Sequence, residues 1–236
     1  MRGLGTLINT ATILVGGGVG LLIGNRISVR MRTTVVQVVG LVTLAIGLAN
    51  AMGTHNMVFP LVGMVVGAII GELLDIEARL ESIGQALRNR FTRPGTEQRF
   101  VQGFVTATLL FCVGPLTILG AIEYASGRTP QLYIIKGTLD GFMTVIFTAV
   151  YGIGAVFAAV SVLVVQGTLT LFGTGIDSLL TDRMRIELFA AGGIAVMAIG
   201  INLLEIKKIR LGSLLPGLII TPFLVWLFAV PGGILH

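Results

Sequence analysis

Four polar side chains stand inside the apolar runs of this chain with the chemistry to hold a small polar solute or an ion: Asn9, Asp140, Gln166 and Asn202. Asp140 is the sharpest signal. It lies in Lys136-Gly137-Thr138-Leu139-Asp140-Gly141, about one turn into an apolar segment. A carboxylate there is costly unless it faces a cavity or a partner. Two readings stay open for it. It is a coupling or cation-binding carboxylate, or it forms an interfacial pair with Lys136, four residues earlier, that anchors a helix end. The three neutral amides either hydrogen-bond helices to one another or coordinate a solute. Glu72 follows Gly71 at the end of an apolar run. It reads as a solvated boundary carboxylate, with a gate or proton site as the alternative.

Two segments carry breakers: Cys112-Val113-Gly114-Pro115, and Leu215-Pro216-Gly217 followed by Thr221-Pro222. Proline removes an i→i−4 hydrogen bond, and inside a membrane the freed carbonyls must find protein, water or ligand. Pro115 and Pro216 are therefore candidate site positions, as in transporters with broken helices, with a simple kink as the alternative. Enzyme chemistry finds no support. His55 and His236 are the only histidines, so no histidine metal cluster can form, and no Walker-type phosphate loop is present. No serine, histidine and acid set can be assembled at membrane depth, and Asp140 is the only aspartate within a span. No catalytic residue and no cofactor is expected.

The elements that must position these residues follow from composition. Of 236 residues, 54% are hydrophobic and 11% charged, with a mean hydropathy of +0.96. Soluble domains carry about 25% charged residues, so lipid is the solvent for this chain. The net charge of +5 could suggest nucleic acid. The basic residues instead sit in short loops between apolar runs, the pattern of topology signals, and nucleic acid is excluded as a partner. Cys112 stands alone and offers no intramolecular disulfide.

A spanning helix needs about 20 apolar residues. Gly3–Asn25 is one span, read as a membrane helix and not as a signal peptide. Residues 33–71 carry no charge and divide at Gly53-Thr54-His55-Asn56 into spans near 34–52 and 57–74. Phe100–Ile122 is the fourth. Residues 141–176 are uncharged and break at Tyr151-Gly152-Ile153-Gly154, giving spans near 134–151 and 155–173. Leu188–Leu204 and Leu211–Phe228 complete eight. With eight spans, eleven of the 16 Lys and Arg fall on one side, which marks the cytoplasm and places both termini outside. Between spans three and four, Ile76, Leu80, Ile83, Leu87 and Phe91 recur on one helical face beside Arg88, Arg90 and Arg93. This predicts a cytoplasmic amphipathic helix lying in the interface.

Residues 40–47 (GLVTLAIG) and 193–200 (GIAVMAIG) share Gly40/Gly193, Ala45/Ala198, Ile46/Ile199 and Gly47/Gly200. Leu61/Leu211, Gly67/Gly217, Ile69/Ile219 and Ile70/Ile220 continue the match. Spans one to three then correspond to spans six to eight, and the odd offset makes them an inverted repeat, an arrangement characteristic of secondary transporters. The expected division of one membrane domain is 1–74 as the first half, 75–99 as the amphipathic helix and loop, 100–154 as inserted spans, and 155–236 as the second half. Small residues at four-residue spacing (Gly16/Gly20/Gly24, Gly63/Gly67/Gly71, Ser213/Gly217/Thr221) predict close helix packing, with a pore-lining face as the alternative. Such glycine-rich faces also suit a homo-oligomer.

Several stretches carry a resemblance: Gly5-Thr6-Leu7-Ile8-Asn9, Gly71-Glu72 leading to Ile76-Glu77-Ala78-Arg79-Leu80, and residues 104–120 (FVTATLLFCVGPLTILG). Leu139-Asp140-Gly141, Gln166-Gly167 and residues 198–215 (AIGINLLEIKKIRLGSLL) complete it. Over essentially its whole length the chain resembles the bacterial inner-membrane family called domain of unknown function 554, the YdfK/YqgA-like group. The resemblance implies a cytoplasmic-membrane location and places Asn9, Glu72, Asp140, Gln166 and Asn202 at motif positions. It carries no ligand with it. The expectation is an all-α polytopic membrane protein that moves a small solute or ion, with a passive channel or a non-transporting scaffold as the alternatives.

Overall fold

The structure, a computed structural model, describes residues 4–24, 26–91, 97–114, 117, 120 and 131–228. Among them the chain forms nine α-helices and no strand. They are α1 (Leu4–Gly24), α2 (Val29–Ala51), α3 (Val58–Leu73), α4 (Ile76–Phe91), α5 (Glu97–Val113), α6 (Gln131–Tyr151), α7 (Ala158–Leu179), α8 (Asp182–Leu203) and α9 (Leu215–Phe228). Short 3-10 turns, Ile153–Phe157 and Gly212–Leu214, lead into α7 and α9.

Within the described residues the apolar runs read from the sequence are helical, but among those residues fewer than eight helices are long enough for an independent crossing. Five meet the length and apolarity required: Leu4–Gly24, Val29–Ala51, Ile134–Tyr151, Ile153–Gly173 and Asp182–Leu203. α3 and α4 meet it together as a pair bent by 55°. At 16 residues, α3 alone is about 24 Å long against a hydrocarbon core of about 30 Å. The apolar helices Arg99–Cys112 and Gly212–Phe228 are shorter still than the five. Two starts lie five or more residues earlier than expected. α2 begins at Val29 and takes in Arg30 and Arg32, and α8 begins at Asp182 and takes in Arg183, Arg185 and Glu187. The Thr181 hydroxyl caps α8 by accepting from the Met184 N–H.

The breaks have local causes. Gly152 sits at φ +85° and ends α6, a conformation that costs a glycine little. α3 and α8 finish on matching stretches that share three of four residues, Leu73-Leu74-Asp75-Ile76 and Leu203-Leu204-Glu205-Ile206. In each the acidic residue is left-handed, Asp75 at φ 50° and Glu205 at φ 56°. Past Asp75 the chain turns into α4, which carries the amphipathic face read from the sequence; Arg93 lies outside the described residues.

The chain divides into two compact units that interleave in sequence: residues 1–38 with 80–177, and residues 39–79 with 178–236. In the first, α1 and α6 run parallel, since Gly16, Gly20 and Gly24 face Gly141, Val145 and Ala149 in the same order. A methyl group on Gly20 would stand 2.5 Å from the Val145 carbonyl oxygen and 2.8 Å from Thr148 Cβ. Leu7, Leu14, Val15 and Leu22 stay exposed on α1 while Gly16, Gly17 and Gly20 are buried. A surface of large apolar residues around an interior of small and polar ones suits a lipid solvent.

In the second unit the order of contacts reverses. Gly63 meets Thr221, Gly67 meets Gly217 and Gly71 meets Ser213, so α3 and α9 are antiparallel. α2 and α8 cross the same way: a methyl on Gly47 would lie 2.8 Å from the Gly193 oxygen, and one on Gly200 would lie 2.9 Å from the Gly40 oxygen.

Candidate polar site inside the first unit

The site is built on three helices of the first unit. α1 supplies Asn9, α6 supplies Lys136 and Asp140, and α7 supplies Gln166. Asn9 and Gln166 are fully buried, and Lys136 and Asp140 are 3% and 8% exposed. Asn9 lies five residues into α1, about 8 Å along it at the helical rise.

Asn9 is the hub. Its Nδ2 donates to Asp140 Oδ2 at 2.9 Å and to Gln166 Oε1 at 2.9 Å. The Lys136 ammonium pairs with the same Asp140 oxygen. A carboxylate only accepts, so Asp140 fixes which end of the Asn9 amide faces it. That in turn fixes Gln166, which must present its oxygen. The consequence is a buried acceptor, Asn9 Oδ1, and a buried donor, Gln166 Nε2, with no hydrogen-bond partner among the described residues. Leaving such a group unmet costs about 1–3 kcal/mol, and a polar solute is one way of meeting both.

Hydroxyls extend the polar interior. Thr6 Oγ1 lies 3.3 Å from Thr170 Oγ1 beside the amides. On α6, Lys136, Asp140, Thr144 and Thr148 recur at every fourth position and are all buried. They form a stripe of about 18 Å along one face. Thr144 donates back to the Asp140 carbonyl oxygen at 2.6 Å, while the Thr148 hydroxyl is buried without a partner. Thr148 also lines a cavity of about 380 Å³ at the far end of α6. The stripe therefore runs from the amide cluster to that cavity.

The structure thus joins three of the sequence candidates, Asn9, Asp140 and Gln166. The Lys136–Asp140 pair does form, but in the interior, where both side chains are hidden. Asn202 lies in the second unit and braces the turn after α8: its Nδ2 donates to the Ile209 oxygen at 2.8 Å, and its Oδ1 accepts from the Ile209 N–H at 2.7 Å. Pro216 occupies the first turn of α9 and so does not interrupt a helix at mid-depth; a missing N–H costs nothing in a first turn. Pro222 is the proline inside α9. Glu72 stands at the exposed end of α3, paired with Arg210 and accepting from the Ser213 hydroxyl at 2.9 Å. Pro115 lies outside the described residues.

Sequence reasoning passed over Lys136 as a site member, Thr6 and Thr170, and the Thr144–Thr148 continuation. The four-residue spacing on α6 was the available signal for the stripe. It also passed over Glu187, which is fully buried in the second unit. Its carboxylate accepts from the Thr54 hydroxyl and from the backbone N–H groups of His55 and Asn56, at 3.1 and 3.2 Å. Among the described residues no group of three or more His, Cys, Asp or Glu could hold a metal ion.

Comparison with known proteins agrees on the family. A curated relative from Bacillus subtilis (strain 168), "Uncharacterized membrane protein YdfK", is 29% identical over 227 residues, covering 94% of this chain and 95% of the relative. "Uncharacterized protein YqgA" from Escherichia coli (strain K12) is 28% identical over 220 residues, covering 92% and 94%. No solved structure matches. The chain is a membrane protein with an all-helical fold, and the profile described as "Protein of unknown function (DUF554)" matches its residues 4–226, so it belongs to that family.

Proposed function

We propose that this protein transports a small polar solute or ion across the bacterial cytoplasmic membrane, and that the solute binds in the first unit between α1, α6 and α7. The observation that carries this reading is the buried Lys136–Asp140 pair tied through Asn9 to Gln166, with an amide oxygen and an amide nitrogen left unmet beside it. Intramembrane ionisable groups are expensive and mark solute or ion pathways. The site offers a cation, a carboxylate, an amide donor and an amide acceptor within one cluster. A cation can compete with the Lys136 ammonium for Asp140, and a solute carrying both charges can engage the two residues together. The stripe through Thr144 and Thr148 supplies hydroxyls along the route to the cavity.

The proposal includes eight crossings, both termini outside, and an inverted repeat of spans one to three and six to eight. The reciprocal contacts of the second unit support the repeat. Gly67 and Gly217 are equivalent positions and touch each other. Gly63 is equivalent to Ser213 and Gly71 to Thr221, and the contacts made are Gly63 with Thr221 and Gly71 with Ser213. Gly47 with Gly193 and Gly40 with Gly200 exchange in the same way. Such exchange is what a two-fold axis between related halves requires. No enzymatic activity, cofactor or nucleic-acid partner is part of the proposal.

The test is flux into proteoliposomes across a panel of cations, anions and zwitterionic solutes. Wild type is compared with Asp140→Asn and with the double variant Lys136→Met/Asp140→Leu, each reconstituted as monodisperse protein. A solute-dependent flux that both variants lose is expected. A flux that both retain removes the site from the pathway, and absence of any flux in the wild type across the panel overturns the transport reading.

A further inference from the structure

At the end of α1 and α6 remote from Asn9, the cavity of about 380 Å³ has a charge pattern unlike the site above it. Arg32 and Arg99 both line it, and none of the lining residues is acidic. Among the described residues neither arginine makes an ion pair. Arg32 is held by one edge, its Nη2 donating to the Gly24 carbonyl oxygen at 2.6 Å, and its Nε is buried without a partner. The Thr148 hydroxyl, on a residue 2% exposed, lines the same cavity and is also unmet. Two guanidinium groups and a hydroxyl, brought from α2, α5 and α6, therefore line one space.

We infer that this cavity binds a phosphate-type oxyanion, held by Arg32, Arg99 and Thr148. Several donors arriving from separate helices match a group with three or more strong acceptor oxygens, and planar guanidinium groups hold such oxygens by paired bonds. Arg32 is pre-set for the task, because its bond to Gly24 fixes the guanidinium and leaves the Nε–H free. The volume exceeds a bare phosphate and falls in the range of small-molecule sites. It thus admits either a free phosphorylated solute or the headgroup of an anionic lipid. The cavity lies at the end of the proposed route, but the inference concerns binding and its test does not depend on the transport reading.

The experiment uses the full chain in nanodiscs. In phosphatidylcholine alone, inorganic phosphate is titrated by calorimetry into wild type, Arg99→Gln, Thr148→Val and Arg26→Gln. Arg99 is exposed, so its substitution is compatible with folding, and Arg26 carries the same charge outside the cavity. For a free-anion site the expected result is binding to wild type and Arg26→Gln, weakened about tenfold or more in the other two. For a lipid-headgroup site, phosphate gives no heat. Native mass spectrometry from mixed nanodiscs then finds phosphatidylglycerol retained by wild type and Arg26→Gln and lost from Arg99→Gln and Thr148→Val. Equal binding of phosphate by all four proteins overturns the inference, as does absence of phosphate heat together with equal lipid retention.

Discussion

The two compact units bury carboxylates to different ends. In the second, Glu187 accepts one hydroxyl and two backbone N–H groups from the turn at residues 54–56, and Glu77 accepts the Gly212 N–H. Each closes on backbone that a turn leaves without partners, as helix ends and loops require. In the first, Asp140 takes its partners from the side chains of Asn9 and Lys136, and the network stops with the Asn9 oxygen and the Gln166 nitrogen unfilled. A buried carboxylate spent on backbone is holding the fold. One spent on other side chains, with groups left over, is where the proposed solute would bind. Both units use small residues for close helix approach, so packing does not distinguish them; the destination of the polar groups does.

The largest expected effect tests the first unit. Removing one partner of a buried ion pair leaves an uncompensated charge and costs about 3–5 kcal/mol, whereas replacing both with apolar residues is often neutral or stabilising. Asp140→Asn should therefore unfold at lower denaturant than wild type in a detergent titration followed by circular dichroism, and Lys136→Met/Asp140→Leu should recover most of the loss. A double variant as unstable as the single one would make the pair structural and bring the two units level. Next comes Glu187→Gln, which leaves one of the two accepting oxygens and should cost about 2 kcal/mol. Flux per folded molecule should stay at the wild-type level, and a loss of flux at unchanged stability would turn Glu187 into a second functional acid. The smallest effect is at Arg210, whose pairs with Glu72 and Asp75 are exposed, at 42%, 50% and 69% side-chain exposure. Arg210→Gln should change stability by less than about 1 kcal/mol, and that difference should shrink further in high salt. A larger, salt-insensitive loss would assign Glu72 a role beyond a solvated helix end.

Much of the helical layout was legible because lipid imposes a simple rule: long uncharged runs become helices, and Gly-rich polar interruptions end them. The breaks at Gly53–Asn56 and at Gly152 were readable for that reason. The individual site candidates were readable too, since Asn9, Asp140 and Gln166 are polar residues in stretches that have no other use for them. Asn202 has the same sequence signature and a different fate, because a neutral amide next to a turn can be consumed by that turn's backbone. Pro216 illustrates the limit for breakers: proline marks a first turn as readily as a kink, and only the position of the helix start decides between them. Glu187 was invisible because its partners are the backbone N–H groups of a loop more than a hundred residues away.

By itself, then, the sequence determined that the chain lives in lipid, that its apolar runs are helical, and which few polar side chains stand within them, all properties set by composition and local spacing. Only the tertiary structure decided that α1 and α6 run side by side in parallel, which brings Asn9 to Asp140 across 131 residues of chain, and that α7 brings Gln166 to the same amide across 157. It also decided that the hydroxyl stripe of α6 ends beside two arginines in a cavity. Hydropathy fixes the depth of a residue along a helix and is blind to which helices are neighbours. Neighbours are chosen by close approach of small residues such as Gly16 and Gly20, whose partners lie far along the chain.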